Sequence, residues 1–321
     1  MPELPEVETV RRGLNETTLN QILTGAEVLL PRTIAYPDPT DFPHKLVNCT
    51  ITQWQRRGKY LLAELGEAGC QGYLGVHLRM TGQLLWVPSD RPVEKHTRVR
   101  FFFQNDRELR FIDTRTFGQI WWVPPDRLPQ DIVHGLQNLG PEPFDAAFST
   151  DYLADWCRDR KRPIKNALLD QTLVAGVGNI YADESLFLSN LHPTTHCADL
   201  QPQQLDTLRR HVIQVLEDSI AAKGTTLRDY RTVEGVNGNY GGQAWVYGRD
   251  GEACRVCGTT IERIKLAGRS AHYCPRCQPG QPSDRRSATQ LSDPKTTGKK
   301  TRKTTASNTL KTTRSSPHIQ H

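Results

Sequence analysis

No stretch of this chain is apolar for anything near the ~20 residues that a bilayer-spanning helix requires, which excludes an integral helical membrane protein. No charged start followed by an apolar block marks a signal peptide, so a cytoplasmic location is expected. Internal repeats are missing. A general excess of charge is missing too. The formal net charge is +6, but it sits at one end. Residues 281–321 hold nine basic side chains and two acidic ones, whereas residues 1–280 hold 32 basic and 33 acidic, a net of −1. A uniformly polycationic body is therefore excluded. Any binding of a polyanion by the body has to come from a locally basic groove.

What is present suits a two-domain globular protein: 321 residues, 36% hydrophobic and 24% charged. Leu4, Val7, Val10 and Leu14 form an apolar helical stripe, with Pro5 suited to a first turn and Gly13 to a stop. Segments 27–30, 51–54, 60–63, 73–78, 84–87, 98–103, 109–112 and 120–123 then read as strands, spaced as in a β-sandwich. Prolines and glycines between 124 and 143 mark a linker. Past residue 146 the pattern turns helical, and Leu205, Leu208, Val212, Val215, Leu216 and Ile220 give the clearest amphipathic face. The expected fold class is α+β. The expected divisions are 1–123 (helix and β-sandwich), 124–146 (linker), 147–243 (helical domain and a Gly-rich loop at 224–242), 244–280 (cysteine hairpin) and 281–321. The last segment, rich in Thr, Ser and Lys, reads as a disordered basic tail. It serves either as a solubilising extension or as a salt-sensitive nucleic-acid tether.

Of eight cysteines, Cys49, Cys70, Cys157 and Cys197 are scattered and read as buried or inert thiols. The others form two knuckles, Cys254-Arg-Val-Cys257 and Cys274-Pro-Arg-Cys277, 16 residues apart. This spacing matches a tetrahedral four-cysteine zinc site. Thiolates fill all four positions, so the metal is structural, with no open place for a reacting water. Alternation at Ile261, Ile264 and Leu266 around Ala267-Gly268-Arg269 predicts a β-hairpin with Arg269 near its turn, either as a phosphate contact or as an exposed surface arginine.

The first residues, Met1-Pro2-Glu3-Leu4-Pro5-Glu6, carry a second chemical signal. Removal of Met1 would leave an N-terminal proline, a secondary amine able to form an iminium with an electrophilic carbon. An α-amino group titrates near ~8 against ~10.4 for lysine, so more of it is nucleophilic at pH 7. Glu3 lies beside it as a proton donor. On these residues alone, the favoured reading of Pro2 is a simple helix start.

Three further segments stand out. Gly176-Val177-Gly178-Asn179 leads into a helix, with Asn179 as N-cap. Free N–H groups there make either a phosphate site or a tight interhelical turn. No βαβ context surrounds it, which excludes a dinucleotide fingerprint. Arg56-Arg57-Gly58-Lys59 forms a basic turn between two strands that could face a phosphate. The loop at 224–242 is long enough to be functional or mobile.

Together the stretches PELPEVETVRRGL, RRGKYLL, HLRMTG, DTRTFG, AGVGNIYADESLF and GRSAHYCPRCQ resemble the formamidopyrimidine-DNA glycosylase family, over about residues 1–278. The resemblance implies a β-sandwich domain, a helix-two-turn-helix domain and a zinc-finger hairpin. It implies a bifunctional glycosylase and AP lyase of base-excision repair. The substrate would be damaged double-stranded DNA carrying oxidised purines, and the location cytoplasmic and nucleoid-associated. A monomer with one structural zinc and no soluble cofactor is implied. Pro2 would be the nucleophile toward C1′, Glu3 the acid for sugar-ring opening, Lys59 the proton donor in β-elimination and Arg269 the residue of δ-elimination. Glu6 would support the nucleophile, and Asn179 would grip phosphates. Met80, Arg115 and Phe117 would fill the gap left by a flipped base, with Arg115 facing the orphan cytosine. His96 and Arg160 would contact DNA. Cys254, Cys257, Cys274 and Cys277 would hold the zinc.

The chemistry fits the task. C1′ cannot be reached inside a duplex, so the nucleotide must be extruded at a cost of about a few kcal/mol. Apolar wedges replace part of the lost stacking. The sister branch acting on oxidised pyrimidines typically opens PEGPE, whereas this chain reads PELPE. A non-catalytic zinc-finger binder would have no need of Pro2, Glu3 and Lys59.

Overall fold

The computed structural model describes residues 1–66, 70–225, 233, 235 and 240–280. The expected disordered tail and most of the expected loop at 224–242 lie outside them.

Helix α1 (Leu4–Thr18) begins directly after Glu3. Its stripe of Leu4, Val7, Val10 and Leu14 is buried as the spacing predicts. It does not stop at Gly13. Leu14 and Thr18 continue the buried face for another turn. Gly13 is instead a packing position, where an added Cβ would press on Val233 at 3.3 Å.

Nine strands follow among the described residues: β1 (Leu23–Val28), β2 (Ile34–Tyr36), β3 (Thr50–Arg57), β4 (Tyr60–Gly66), β5 (Gly72–His77), β6 (Gly82–Pro88), β7 (Thr97–Phe103), β8 (Arg107–Asp113) and β9 (Gln119–Val123). They form two sheets, ordered β1-β7-β8-β6 and β2-β9-β5-β4-β3. Alternation decides which face is inside: in β7, Thr97, Val99, Phe101 and Phe103 point to the core and the residues between them do not. Trp54, Phe42, Phe101 and Phe111 fill the space between the sheets, closed at one side by Val7, Val10 and Leu14 of α1. The first expected strand sits four residues earlier than its apolar run, at Leu23–Val28. Three-residue β2 has no counterpart in the sequence reading, because so short an edge strand carries no readable alternation; it pairs in parallel with β9.

Two of the scattered cysteines are not inert thiols. Cys49 precedes β3 and Cys70 precedes β5, the two strands flanking β4. Their Cα atoms lie 5.1 Å apart, within the usual disulfide range, and they are disulfide-bonded. Cys157 and Cys197 are free and buried in the helical core, with their thiols in mutual contact.

The linker holds a short helix, α2 (Pro129–Ile132), and a 3-10 turn at His134–Leu136. Helices α3 (Thr150–Cys157), α4 (Ile164–Leu168), α5 (Asn179–Leu188) and α6 (Pro202–Ala221) follow. Ser149 caps α3, its hydroxyl oxygen accepting from Tyr152 N at 3.1 Å. α5 is almost wholly buried, its Asp183, Glu184 and Ser185 included. α6 packs on α3, α5 and α1, joining the helical core to the sandwich. The hairpin of β10 (Glu262–Leu266) and β11 (Arg269–Tyr273) turns through Ala267 and Gly268, both with positive φ (46° and 81°), as a two-residue turn of this kind requires.

Candidate active site

The N-terminal peptide is threaded between the two domains. Pro2 and Glu3 are buried, and Leu4 N donates to Gly176 O at 3.1 Å. Two glycines make this possible. A Cβ on Gly176 would stand 2.5 Å from Leu4 Cδ1, and one on Gly178 would stand 2.2 Å from Glu3 Cδ. The Gly-Val-Gly turn is therefore shaped to admit the start of the chain. Gly178, not Asn179, is the N-cap of α5, and Asn179 is its first helical residue.

Glu3 Oε1 accepts from Ile180 N at 3.3 Å, at the positive end of α5. Its Oε2 is buried with no hydrogen-bond partner among the described residues. Burial raises the Glu3 carboxyl above the ordinary range, and Lys59 pulls the other way. Lys59 is buried, and its ammonium donates to Val177 O at 3.0 Å. Burial lowers its pKa; Glu3 opposes this and the Arg269 guanidinium adds to it. Glu3, Lys59 and Arg269 thus share one electrostatic site beside Pro2.

Glu6 underlies this group. Its carboxylate accepts from Glu3 N at 2.8 Å, Tyr181 Oη at 2.5 Å and Thr225 N at 2.8 Å. Burial, then the charge of Glu3, raises it to about 7. His77, behind Lys59, is held neutral: burial, Arg79 and Lys59 push it down to about 3.

The basic turn works differently from its sequence expectation. Arg56 donates to Glu142 at 2.6 Å and Glu8 at 3.1 Å, and Arg57 to Glu142 at 2.9 Å. Glu142 also accepts from Gly58 N at 2.6 Å. Both arginines are used internally to fix the turn, which leaves Lys59 to face the site.

Arg269 is held in place from behind. Lys165 Nζ donates to Asp183 and to Ser270 O, and Asp183 accepts from His272 N at 3.0 Å. Glu184 accepts from three successive backbone N–H groups, of Trp245, Val246 and Tyr247, at 2.7–3.0 Å. α5 therefore anchors the hairpin. Asn179 lies against it, its amide 3.4 Å from Ser270 Oγ and its Oδ1 buried without a partner among the described residues.

A second group lies at the end of the sandwich. Met80 (36% exposed) and Phe117 (53% exposed) are large apolar side chains left in the open, and Arg115 sits over the Phe117 ring at 5.0 Å. His96 O accepts from Asp113 N at 3.0 Å, placing His96 at the same end. Arg160 stands apart, stacked on Trp156 at 4.3 Å and donating to its carbonyl.

The four knuckle cysteines converge, with all Sγ atoms within 4.8 Å of one another. Three of the separations are 3.5, 3.5 and 3.9 Å. A tetrahedron with Zn–S of about 2.3 Å has edges of about 3.8 Å, so the donor set fits zinc. The hairpin is a structural zinc finger.

Family models match three successive parts: the formamidopyrimidine-DNA glycosylase N-terminal domain at residues 1–120, the H2TH domain of the same family at 139–231, and the zinc finger found in FPG and IleRS at 251–280. The chain belongs to the formamidopyrimidine-DNA glycosylase family. The formamidopyrimidine-DNA glycosylase of Acaryochloris marina is 62% identical over 282 residues, covering 87% of this chain and 99% of that one. That of Nostoc punctiforme is 60% identical over 279 residues, covering 87% and 96%. Among solved structures, a Lactococcus lactis FPG mutant bound to Fapy-dG DNA superposes with a TM-score of 0.80 at 36% identity, over 87% of this chain and 100% of that one. MutM bound to DNA containing carbocyclic 8-oxo-G gives 0.79 at 35% identity, with the same coverage. As in those glycosylases, the helical domain is the H2TH domain. No helix among the described residues is long and apolar enough to cross a membrane.

Sequence reasoning missed Glu142, Tyr181, Lys165, Asp183 and Asp113. Asp113, Tyr181 and Asp183 lie within the quoted motifs and Glu142 and Lys165 outside them, but in every case nothing local signals their partners, which are distant in the chain.

Proposed function

We propose that this chain excises oxidised purines from duplex DNA and then cuts the strand, with Pro2 as nucleophile. Once Met1 is removed, the Pro2 nitrogen attacks C1′ of an extruded nucleotide. An N–C1′ bond forms, the glycosidic bond breaks and the damaged base leaves. Glu3, raised by burial, donates a proton to the sugar oxygen as the ring opens to an iminium. The iminium accepts the electron pair released when the C2′ proton is lost, so the 3′ phosphate departs. Lys59, with its lowered pKa, suits the donation of a proton in this β-elimination. Loss of the C4′ proton then releases the 5′ phosphate, with Arg269 on the phosphates. Water hydrolyses the imine and frees the protein. Glu6 holds the N-terminal turn, Asn179 and His96 take phosphates, and Arg160 adds a more distant contact. Met80 and Phe117 occupy the vacated stack, and Arg115 reads the orphan base. We read the protein as a monomer requiring no soluble cofactor.

The observation that carries this reading is the electrostatic coupling of buried Lys59 to Glu3 and Arg269 next to buried Pro2, the residue that removal of Met1 would make N-terminal. The test is borohydride trapping on an 8-oxoguanine:C duplex. A covalent protein–DNA adduct is expected with a free Pro2 and none when an N-terminal tag acylates it. Equal trapping of the tagged protein would remove Pro2 from the mechanism. A duplex with an oxidised pyrimidine, run in parallel, sets the substrate class.

A further inference from the structure

We propose that Asp113 is a positioning residue that sets opposite-base selectivity by holding the Met80 loop and the Arg115–Phe117 loop in one frame. This rests on the reading of Met80, Arg115 and Phe117 as the groups that enter the duplex.

Asp113 ends β8 and is 1% exposed. Its carboxylate has no ammonium or guanidinium partner among the described residues. It is satisfied instead by donors from two loops. Oδ1 accepts from the hydroxyl of Thr81, next to Met80, and from Arg115 N at 3.2 Å. Oδ2 accepts from Gly118 N at 2.8 Å, next to Phe117. Thr81 Oγ1 in turn accepts from Arg115 N at 3.0 Å, closing a triangle across the two loops. The main chain of Asp113 adds the third segment: its N–H donates to His96 O at 3.0 Å, and its carbonyl accepts from Arg98 Nε at 2.7 Å.

An aspartate serving only its own turn would bind the N–H two residues on and no more. The bond to Thr81, 32 residues away, has no such local purpose. Glycines keep the space clear. A Cβ on Gly118 would lie 2.3 Å from Phe111 Cζ and 3.1 Å from Asp113 Oδ2, and one on Gly82 would lie 2.5 Å from Leu78 O. Thr116, between Arg115 and Phe117, is held at φ 58°, a conformation costly for a threonine. The loop is therefore fixed before any DNA arrives, and the carboxylate is its shared anchor. The backbone from which Arg115 reaches a base is set by Asp113 and Thr81 together.

The test compares single-turnover excision from 8-oxoguanine:C and 8-oxoguanine:A duplexes. Asp113→Asn puts an amide NH2 against a donor. Thr81→Val removes the bridging hydroxyl at nearly constant volume, and Thr81→Ser keeps it. Asp113→Asn and Thr81→Val are expected to lower the C-over-A ratio roughly tenfold, within the range a good base contact supplies. Thr81→Ser is expected to retain the ratio. Asp113→Asn combined with Arg115→Ala should give the ratio of Arg115→Ala alone. If Arg115→Ala loses selectivity while Asp113→Asn and Thr81→Val keep it, the positioning role is overturned. If Arg115→Ala itself keeps selectivity, the reading of Arg115 falls, and this inference falls with it. Should Asp113→Asn fail to fold, as thermal melting would show, the two Thr81 variants decide alone.

Discussion

Gly178→Ala is expected to disable the enzyme without replacing any of the proposed catalytic side chains. The backbone at Gly178 (φ −133°, ψ −163°) is extended and open to alanine, so no conformational strain arises. The conflict is with Glu3. The new Cβ would lie 2.2 Å from its Cδ, 2.4 Å from Oε1 and 2.6 Å from Oε2. Ordinary carbon contacts start at about 3.5 Å, so the carboxyl must move by ~1.3 Å. It then loses Ile180 N, already at 3.3 Å. A displacement of about 1 Å at a reacting group costs roughly 100-fold in rate. The stability cost is small, because the end of a side chain moves rather than a backbone. One charge-assisted hydrogen bond is worth about 1.5–3 kcal/mol, and glycine-to-alanine returns about 0.4–1 kcal/mol through the unfolded chain. Gly176→Ala is the contrast. It sits at φ +89° with its Cβ 2.5 Å from buried Leu4, so it should cost about 3 kcal/mol or more of stability. Single-turnover excision and thermal melting of both variants separate the effects. A Gly178→Ala protein within threefold of the wild-type rate would refute the steric reasoning. So would a rate that simply follows its folded fraction.

Two other outcomes follow from the site. Glu6 is raised from 4.5 to about 7 by burial and by Glu3, so its stabilisation is fully present below pH 4.5 and lost as pH rises through about 7. At 1.36 kcal/mol per unit, the wild type should lose about 3 kcal/mol relative to Glu6→Gln between pH 5 and 8; parallel denaturation midpoints for the two proteins across that range would contradict this. Removing zinc with a chelator, or Cys254→Ser, should release the hairpin and Arg269, abolishing binding to a lesion duplex while sandwich and helical circular dichroism persist. Unchanged affinity of metal-free protein would exclude the finger from the DNA surface.

The parts of the site legible in the sequence are those whose chemistry is local. The C-x2-C knuckles lie 16 residues apart, and the hairpin between them is short, so the cysteines and Arg269 can be placed from spacing alone. The apolar stripes of α1 and α6 are equally plain, because a helical period repeats within a few residues. Gly13 misleads because a glycine that stops a helix and one that admits a neighbour look alike in one dimension. Asn179 misleads in a similar way: Gly178 takes the cap position because the space beside it belongs to Glu3.

By itself the sequence determined most of the elements, the zinc site and the reactive amine that Pro2 would provide. Only the tertiary structure decided which charges face the site and which are spent inside. Glu3 meets the N-terminus of α5 across 177 residues, Arg57 meets Glu142 across 85, and Thr81 meets Asp113 across 32. Such pairings depend on sheet register and domain packing, which fix positions in space and leave no periodic trace in the chain.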